Sequence, residues 1–439
     1  MTRSQTAGGT RPGPPVLVET SRQLPLVTVV VGQRSGAATD LPTKAGLTRL
    51  VTRLMRRTGG GMDPDELDMR VDSLGASLSA DVMHSAVTFH GTVIARSLEP
   101  FVDLLVEVLA RPGFAEDEIE RQKREVRSEL LDALDNDRAL VRRFFERSVF
   151  KRHPFGHPVN GTVRTVEAIS RDDLLAHYRR TWQARNLVFA FAGDIDESQA
   201  SRIAMRVADA LADEDPPADD VPEPDAPQGR KLVLVDKPER TQTQILLGGL
   251  GTHPHDDDHI PLHVGNTIFG GTFSARMTRQ IRSERGWSYG AYSSLPIDRR
   301  RRSFSMWTFP KAADAAPCIR LQLEMLKHWR QQGVTADELK WAKNYLVRSH
   351  AFAIDTAAKR VALALDEVLY DLPKGYYDRY TERVEAVTVE QVNAAVRRRI
   401  PESNLLVTVV GTEPEIGAAV RNAIDGLDTV ETVPFDADP

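Results

Sequence analysis

Arg282 and Tyr289 stand seven positions apart around a glycine, in Arg282-Ser283-Glu284-Arg285-Gly286-Trp287-Ser288-Tyr289. A guanidinium offers N–H donors only, and a phenol can donate one proton. Together they can hold a peptide carbonyl or stabilise an oxyanion. The elements that must position them are legible on either side. Thr272 to Arg285 reads as a helix, with Phe273, Met277 and Ile281 four apart, and Gly286 is the residue type that turns a chain just past a helix end. Trp287 to Tyr292 reads as an aromatic, alternating strand. The structural alternative is that Arg282 complements the helix C-terminus while Tyr289 is half-buried sheet packing.

The chain has 439 residues, too many for one ordinary core, and suits two domains of about 200 residues each. With 41% hydrophobic residues and a net charge of −5, it has a soluble globular composition and no electrostatic case for nucleic acid or an anionic membrane. Its one cysteine, Cys318, leaves no internal disulfide and no cysteine zinc knuckle, and suits a reducing compartment. No run of 18 apolar residues is present, so the expected location is cytoplasmic. Residues 1–16 read as a disordered Thr/Gly/Pro tail without the apolar segment of a signal peptide.

Leu24 to Val31 is a β-branched strand, and the helix after it, about Thr43 to Arg57, carries Leu47, Leu50, Val51, Leu54 and Met55 on one stripe. Strands around Leu78–Ala80 and Ala86–Val93 follow, then helices from Phe101 to Leu109 and from about Glu116 to Leu134. The acidic, proline-rich stretch 213–229 cannot bury a core and reads as a linker. It separates a first domain, 17–212, from a second, 230–430, with a short tail at 431–439. The halves repeat one another. Glu167, Asn186 and Gly193 recur as Glu385, Asn404 and Gly411, each 218 residues on (385 − 167, 404 − 186, 411 − 193). Asp117-Glu118-Ile119 recurs as Asp337-Glu338-Leu339, shifted by 220 (337 − 117). A constant offset argues for a duplicated domain. Short strands mixed with long helices, without regular alternation, make each copy α+β, a largely antiparallel sheet covered by helices.

Gly270-Gly271-Thr272-Phe273-Ser274-Ala275-Arg276 together with Ile281 to Gly290 resembles the C-terminal half of the M16 (pitrilysin/insulinase-type) zinc peptidases, and the resemblance extends over roughly residues 20–425. It implies two homologous α+β domains, and an Arg and a Tyr seven apart that bind substrate. It also implies a first domain with His-x-x-Glu-His on a helix and a zinc-binding glutamate about 76 residues further on. Here those positions hold Arg49, Thr52 and Arg53, while the distal glutamate is retained as Glu129. Arginine stays protonated and offers no lone pair to zinc, and threonine cannot act as a general base, so no metal is expected on this chain. Two readings of the arginines stand side by side: a solvated helix face that includes Arg56, or an ion pair from Arg49 or Arg53 to Glu129 or Glu125 in place of the metal.

Other clusters are weaker. Pro154, Gly156 and Pro158 keep His153 and His157 off any helix that would align them, and His253 to His259 is a polar loop. Neither a phosphate-binding Gly-x-x-x-x-Gly-Lys nor a Gly-x-Ser-x-Gly nucleophile turn occurs. The resemblance therefore implies the non-zinc subunit of a two-chain M16 peptidase. Its partner carries His-x-x-Glu-His and zinc, and Arg282 and Tyr289 act in trans on a peptide substrate. The alternative is an inert scaffold of the same fold, like the core subunits of respiratory complexes.

Overall fold

The computed structural model describes residues 13–218, 220–400 and 402–437. Most of the expected N-terminal tail, residues 1–12, lies outside them. Eleven strands form two sheets: β1 (Val16–Thr20), β2 (Leu26–Gln33), β3 (Ser77–Val82), β4 (Val87–Ile94) and β5 (Leu187–Gly193) in the first, and β6 (Lys231–Asp236), β7 (Gln244–Leu250), β8 (Ala291–Ser294), β9 (Ser303–Thr308), β10 (Leu406–Gly411) and β11 (Thr429–Pro434) in the second.

The first sheet runs β1-β5-β2-β4-β3 and the second β11-β6-β10-β7-β9-β8. Removing β11 leaves the same five-strand order in both, which gives the sequence offsets a structural counterpart. In each sheet the pairing at the β1 or β6 side is parallel and the rest antiparallel. The chain is α+β, as its composition of elements implies.

Local patterns decide the layers. β4 alternates, with Val87, Phe89 and Val93 buried and Thr88, His90 and Thr92 partly exposed, as a period of two requires. β5 is apolar throughout and lies centrally, with Phe189 and Phe191 in one core and Val188, Ala190 and Ala192 in another. That second face has to be covered. The helix Ala357–Leu369 from far along the chain covers it with Val361, Leu365 and Leu369, each contributing about 1.5–3 kcal/mol on burial.

Chain order and compact units therefore part company. One unit comprises the chain up to Leu130, His157–Val221 and Ala351–Lys374; the other comprises Leu131–Gly156, Pro222–His350 and the chain from Gly375. The expected contiguous domains, 17–212 and 230–430, are replaced by units that each take one helix from the other half. The helix Asp137–Phe150 packs on β7 and β10 of the second sheet, and Ala357–Leu369 packs on β1, β2 and β5 of the first. These two helices begin 220 residues apart (357 − 137). The exchange follows from the need of each sheet to bury its second face, whichever segment does it.

The expected C-terminal tail is also corrected: Thr429–Pro434 is an edge strand, parallel to β6. The described residues of 213–229 form neither helix nor strand, although Arg185 holds Asp213 and Asp215 at 2.9 and 2.6 Å. Among the described residues no helix is long and apolar enough to cross a membrane.

Candidate functional site

The first unit holds the helix Leu47–Thr58, whose start is fastened from outside. Gly46 precedes it with φ +94°, and the buried Asp40 carboxylate accepts from Gly46 N, Thr48 N and Thr48 Oγ1 at 3.1, 3.1 and 2.6 Å. These bonds satisfy amides that a helix start leaves unpaired. Leu50, Val51, Leu54 and Met55 are buried beneath, so Arg49, Thr52, Arg53 and Arg56 face a cavity of about 650 Å³.

Across from them runs the helix Glu116–Asp132. Arg53 Nη1 reaches both oxygens of Glu129 at 2.8 Å, Arg49 Nη2 approaches one at 3.4 Å, and Arg53 Nη2 lies 3.6 Å from Glu125. Arg53 Nε also donates to Gln122 at 3.1 Å, and that buried amide donates in turn to Glu118 and Glu125. Of the two readings, the ion pair is the one present. Both partners are partly exposed, so each such pair adds no more than about 1 kcal/mol; the connected set fixes the two helices against each other. Gln122, which the sequence did not single out, is the link.

These residues do not fit a zinc ion. Arg49 and Arg53 are donors only. The Thr52 hydroxyl is turned back onto the Thr48 carbonyl at 2.8 Å, and both oxygens of Glu129 are taken by Arg53. Among the described residues no group of three or more His, Cys, Asp or Glu is arranged to hold a metal. His153 spends Nε2 on the Pro222 carbonyl and Nδ1 on the Phe155 amide, and His253 and His255 stack ring on ring at 5.2 Å.

In the second unit the Arg282 segment differs from the expected α-helix. Thr278–Glu284 is a π-helix, with Arg276 and Met277 leading into it. Met277 and Ile281 are buried, but Phe273 is 64% exposed and lies off their stripe. The turn before it is anchored by Ser293 N donating to the Gly270 carbonyl, and Arg276 clamps Glu338 through Nε at 2.7 Å and Nη2 at 2.5 Å. Burial alone would raise the Glu338 carboxyl; hydrogen bonds from Arg276 and Thr335 hold it below its usual range. The strand is shorter than expected, starting at Ala291, so Tyr289 sits in the connection. Gly286 turns that connection with φ +66°.

The Arg282 guanidinium lies over the Tyr289 ring at 4.0 Å and over the Phe273 ring at 4.6 Å. Tyr289 is 74% exposed, which removes the half-buried packing alternative. Neither the guanidinium nor the phenol hydroxyl has a hydrogen-bond or ion-pair partner among the described residues. Both donors are therefore unspent, and the cation is steadied by ring faces that use none of its N–H groups. In the sequence Phe273 stands in an apolar trio and in the Gly270–Arg276 stretch, with no role of its own. Its ring reaches Arg282 from the turn that precedes the helix, a tertiary contact that no periodicity reports.

The chain is similar to known proteins at several levels. The family description "Insulinase (Peptidase family M16)" matches residues 16–163, and "Peptidase M16 inactive domain" matches residues 168–346. The chain is 25% identical over 370 residues to an uncharacterised zinc protease of Mycobacterium leprae, covering 84% of this chain and 82% of that protein. It is 19% identical over 405 residues to a non-peptidase homolog of Helicobacter pylori, covering 91% and 92%. A crystal structure of a peptidase M16 inactive domain from Pseudomonas fluorescens superposes with a TM-score of 0.84 at 24% identity, over 91% of this chain and 95% of that one. With matching profiles in both halves, a duplicated α+β architecture and that superposition, the chain belongs to the M16 (insulinase) peptidase family.

Proposed function

We propose that this chain is the non-zinc subunit of a two-chain M16 peptidase, contributing Arg282 and Tyr289 to a peptide held at the zinc site of a His-x-x-Glu-His partner. The observation that carries this reading is the pair of unspent donors at the end of the π-helix, set against a first unit whose metal positions are closed by Arg–Glu pairing. Arg282 binds a substrate carbonyl, and Tyr289 donates to the oxygen that becomes negative as the carbonyl is attacked. Zinc on the partner would polarise that carbonyl and the attacking water. The chain works in the cytoplasm in this reading, as its single cysteine suits.

The test is reconstitution. Peptide cleavage is expected only on mixing with a His-x-x-Glu-His chain, and Tyr289→Phe is expected to cut turnover of the mixture by about one to three orders of magnitude, the usual effect of losing one oxyanion donor. Full activity of the Tyr289→Phe mixture would end the catalytic role. The second reading, an inert scaffold, draws on the relative named a non-peptidase homolog. It gains if the mixture forms but this chain adds nothing to the partner's own rate.

A further inference from the structure

The first unit's cavity has a second wall, the helix Ala357–Leu369, and Asp366 projects from it among Val30, Leu365 and Leu369. The cavity's four arginines are already answered. Arg49 and Arg53 meet Glu129, Arg56 meets Asp68 at 2.9 Å, and Arg57 meets Glu118 at 3.3 Å. Asp366 is not. Its carboxylate has no hydrogen-bond or ion-pair partner among the described residues, and burial is the one influence on its titration.

The duplication shows what such an acid normally meets. Asp366 corresponds to Glu146 in the matching helix of the second unit (366 − 220). Glu146 accepts from Arg302 Nη2 at 3.1 Å and from Arg142 Nε at 3.2 Å, where the first unit has Ala362 (142 + 220), and the Arg302 guanidinium lies over the Phe150 and Phe155 rings. Strand register finds the counterpart of Arg302. Val188 of β5 faces Gly32, which faces Thr88. The equivalent Leu406 of β10 faces Gly248, which faces Ser305. Three residues before Ser305 is Arg302, and three before Thr88 is Ser85. A serine cannot supply the charge. One unit thus carries its own guanidinium against the acid, and the other has an acid, an apolar wall and an open space.

We infer that this cavity receives an organic cation, a guanidinium or ammonium group on an apolar stem, with Asp366 as its counter-ion. The apolar side chains around Asp366 take the stem, and the carboxylate takes the charged end, as Glu146 takes Arg302. This inference uses neither Arg282 nor Tyr289, so it stands or falls apart from the peptidase reading.

Calorimetric titration of the full chain at neutral pH, with agmatine and with a blocked Gly-Arg-Gly peptide, tests it. At least one probe is expected to bind saturably, at least about tenfold more weakly to Asp366→Asn, as loss of a charged hydrogen-bond partner implies. Binding of the peptide alone assigns the cation to a polypeptide side chain; binding of agmatine alone assigns it to a free amine. Ser85→Arg, which gives the first unit the arginine of the second, is expected to abolish binding of both. Absence of binding by either probe, or equal affinity in parent and Asp366→Asn, overturns the inference. So does saturable binding of inorganic phosphate in place of both probes, since the arginines would then be the receptor.

Discussion

Asp366→Asn removes a charge that the fold does not answer, and its consequence for stability can be worked out. Burial pushes the folded-state pKa from 3.8 up to about 6; in the unfolded chain it returns to about 3.9. The folded protein therefore holds this proton more tightly. The stability that results is fully present below about pH 4 and is lost as pH rises through 6. At about 1.36 kcal/mol per unit, the loss is about 1–2 kcal/mol at pH 5 and about 3 kcal/mol at pH 8. An amide has no such dependence. Relative to the parent, Asp366→Asn should gain about 1–2 kcal/mol between the two pH values, on top of any constant packing difference. Native-state hydrogen exchange of amides in Ala357–Leu369, with parent and variant compared at each pH, should show the protection ratio rising about tenfold. A ratio that is the same at pH 5 and pH 8 would refute the unanswered charge. A cation bound at Asp366 should flatten the parent's dependence.

Three further outcomes are expected. Phe273→Ala strips one aromatic face from Arg282, a contact of about 0.5–1 kcal/mol at an exposed site, and should raise KM of the mixed peptidase about two- to fivefold with kcat unchanged; an unaltered KM would show that Tyr289 alone steadies the guanidinium. Gly286→Ala meets no atom within 4 Å but forces a side chain to φ +66°, so urea denaturation should show a loss of about 1 kcal/mol, and an undiminished midpoint would mean that the turn relaxes. Arg49→His, Thr52→Glu and Arg53→His together should let the chain take up zinc beside Glu129, measured by elemental analysis after dialysis, whereas Arg53→His alone should not. Failure of the triple variant would mean that Glu129 does not stand where a third protein ligand must.

Much of the fold was legible because its signals are local. The stripe Leu47, Leu50, Val51, Leu54, Met55 became the buried face of a helix, and the run Leu187–Gly193 became a central strand. Periods of 3.6 and 2 are written directly into a chain. The π-turn was not legible. Phe273, Met277 and Ile281 fit an α-period, yet the helix begins only at Arg276, so Phe273 lies in the turn before it, exposed, with its ring against Arg282. The edge strand Thr429–Pro434 was missed for a related reason: its residues are mostly exposed and polar, and only pairing with β6 makes them a strand.

From the residues alone follow the duplication, the α+β character, and the loss of lone-pair donors at Arg49, Thr52 and Arg53, because each depends on residue type and spacing. Tertiary structure decided the rest: that Arg53 closes on Glu129, that each sheet borrows a helix from the other half, and that Asp366 faces a space where Glu146 faces Arg302. Those are matters of which surfaces remain to be buried and which charges remain to be met once distant segments have come together. No window along the chain contains both sides of that balance.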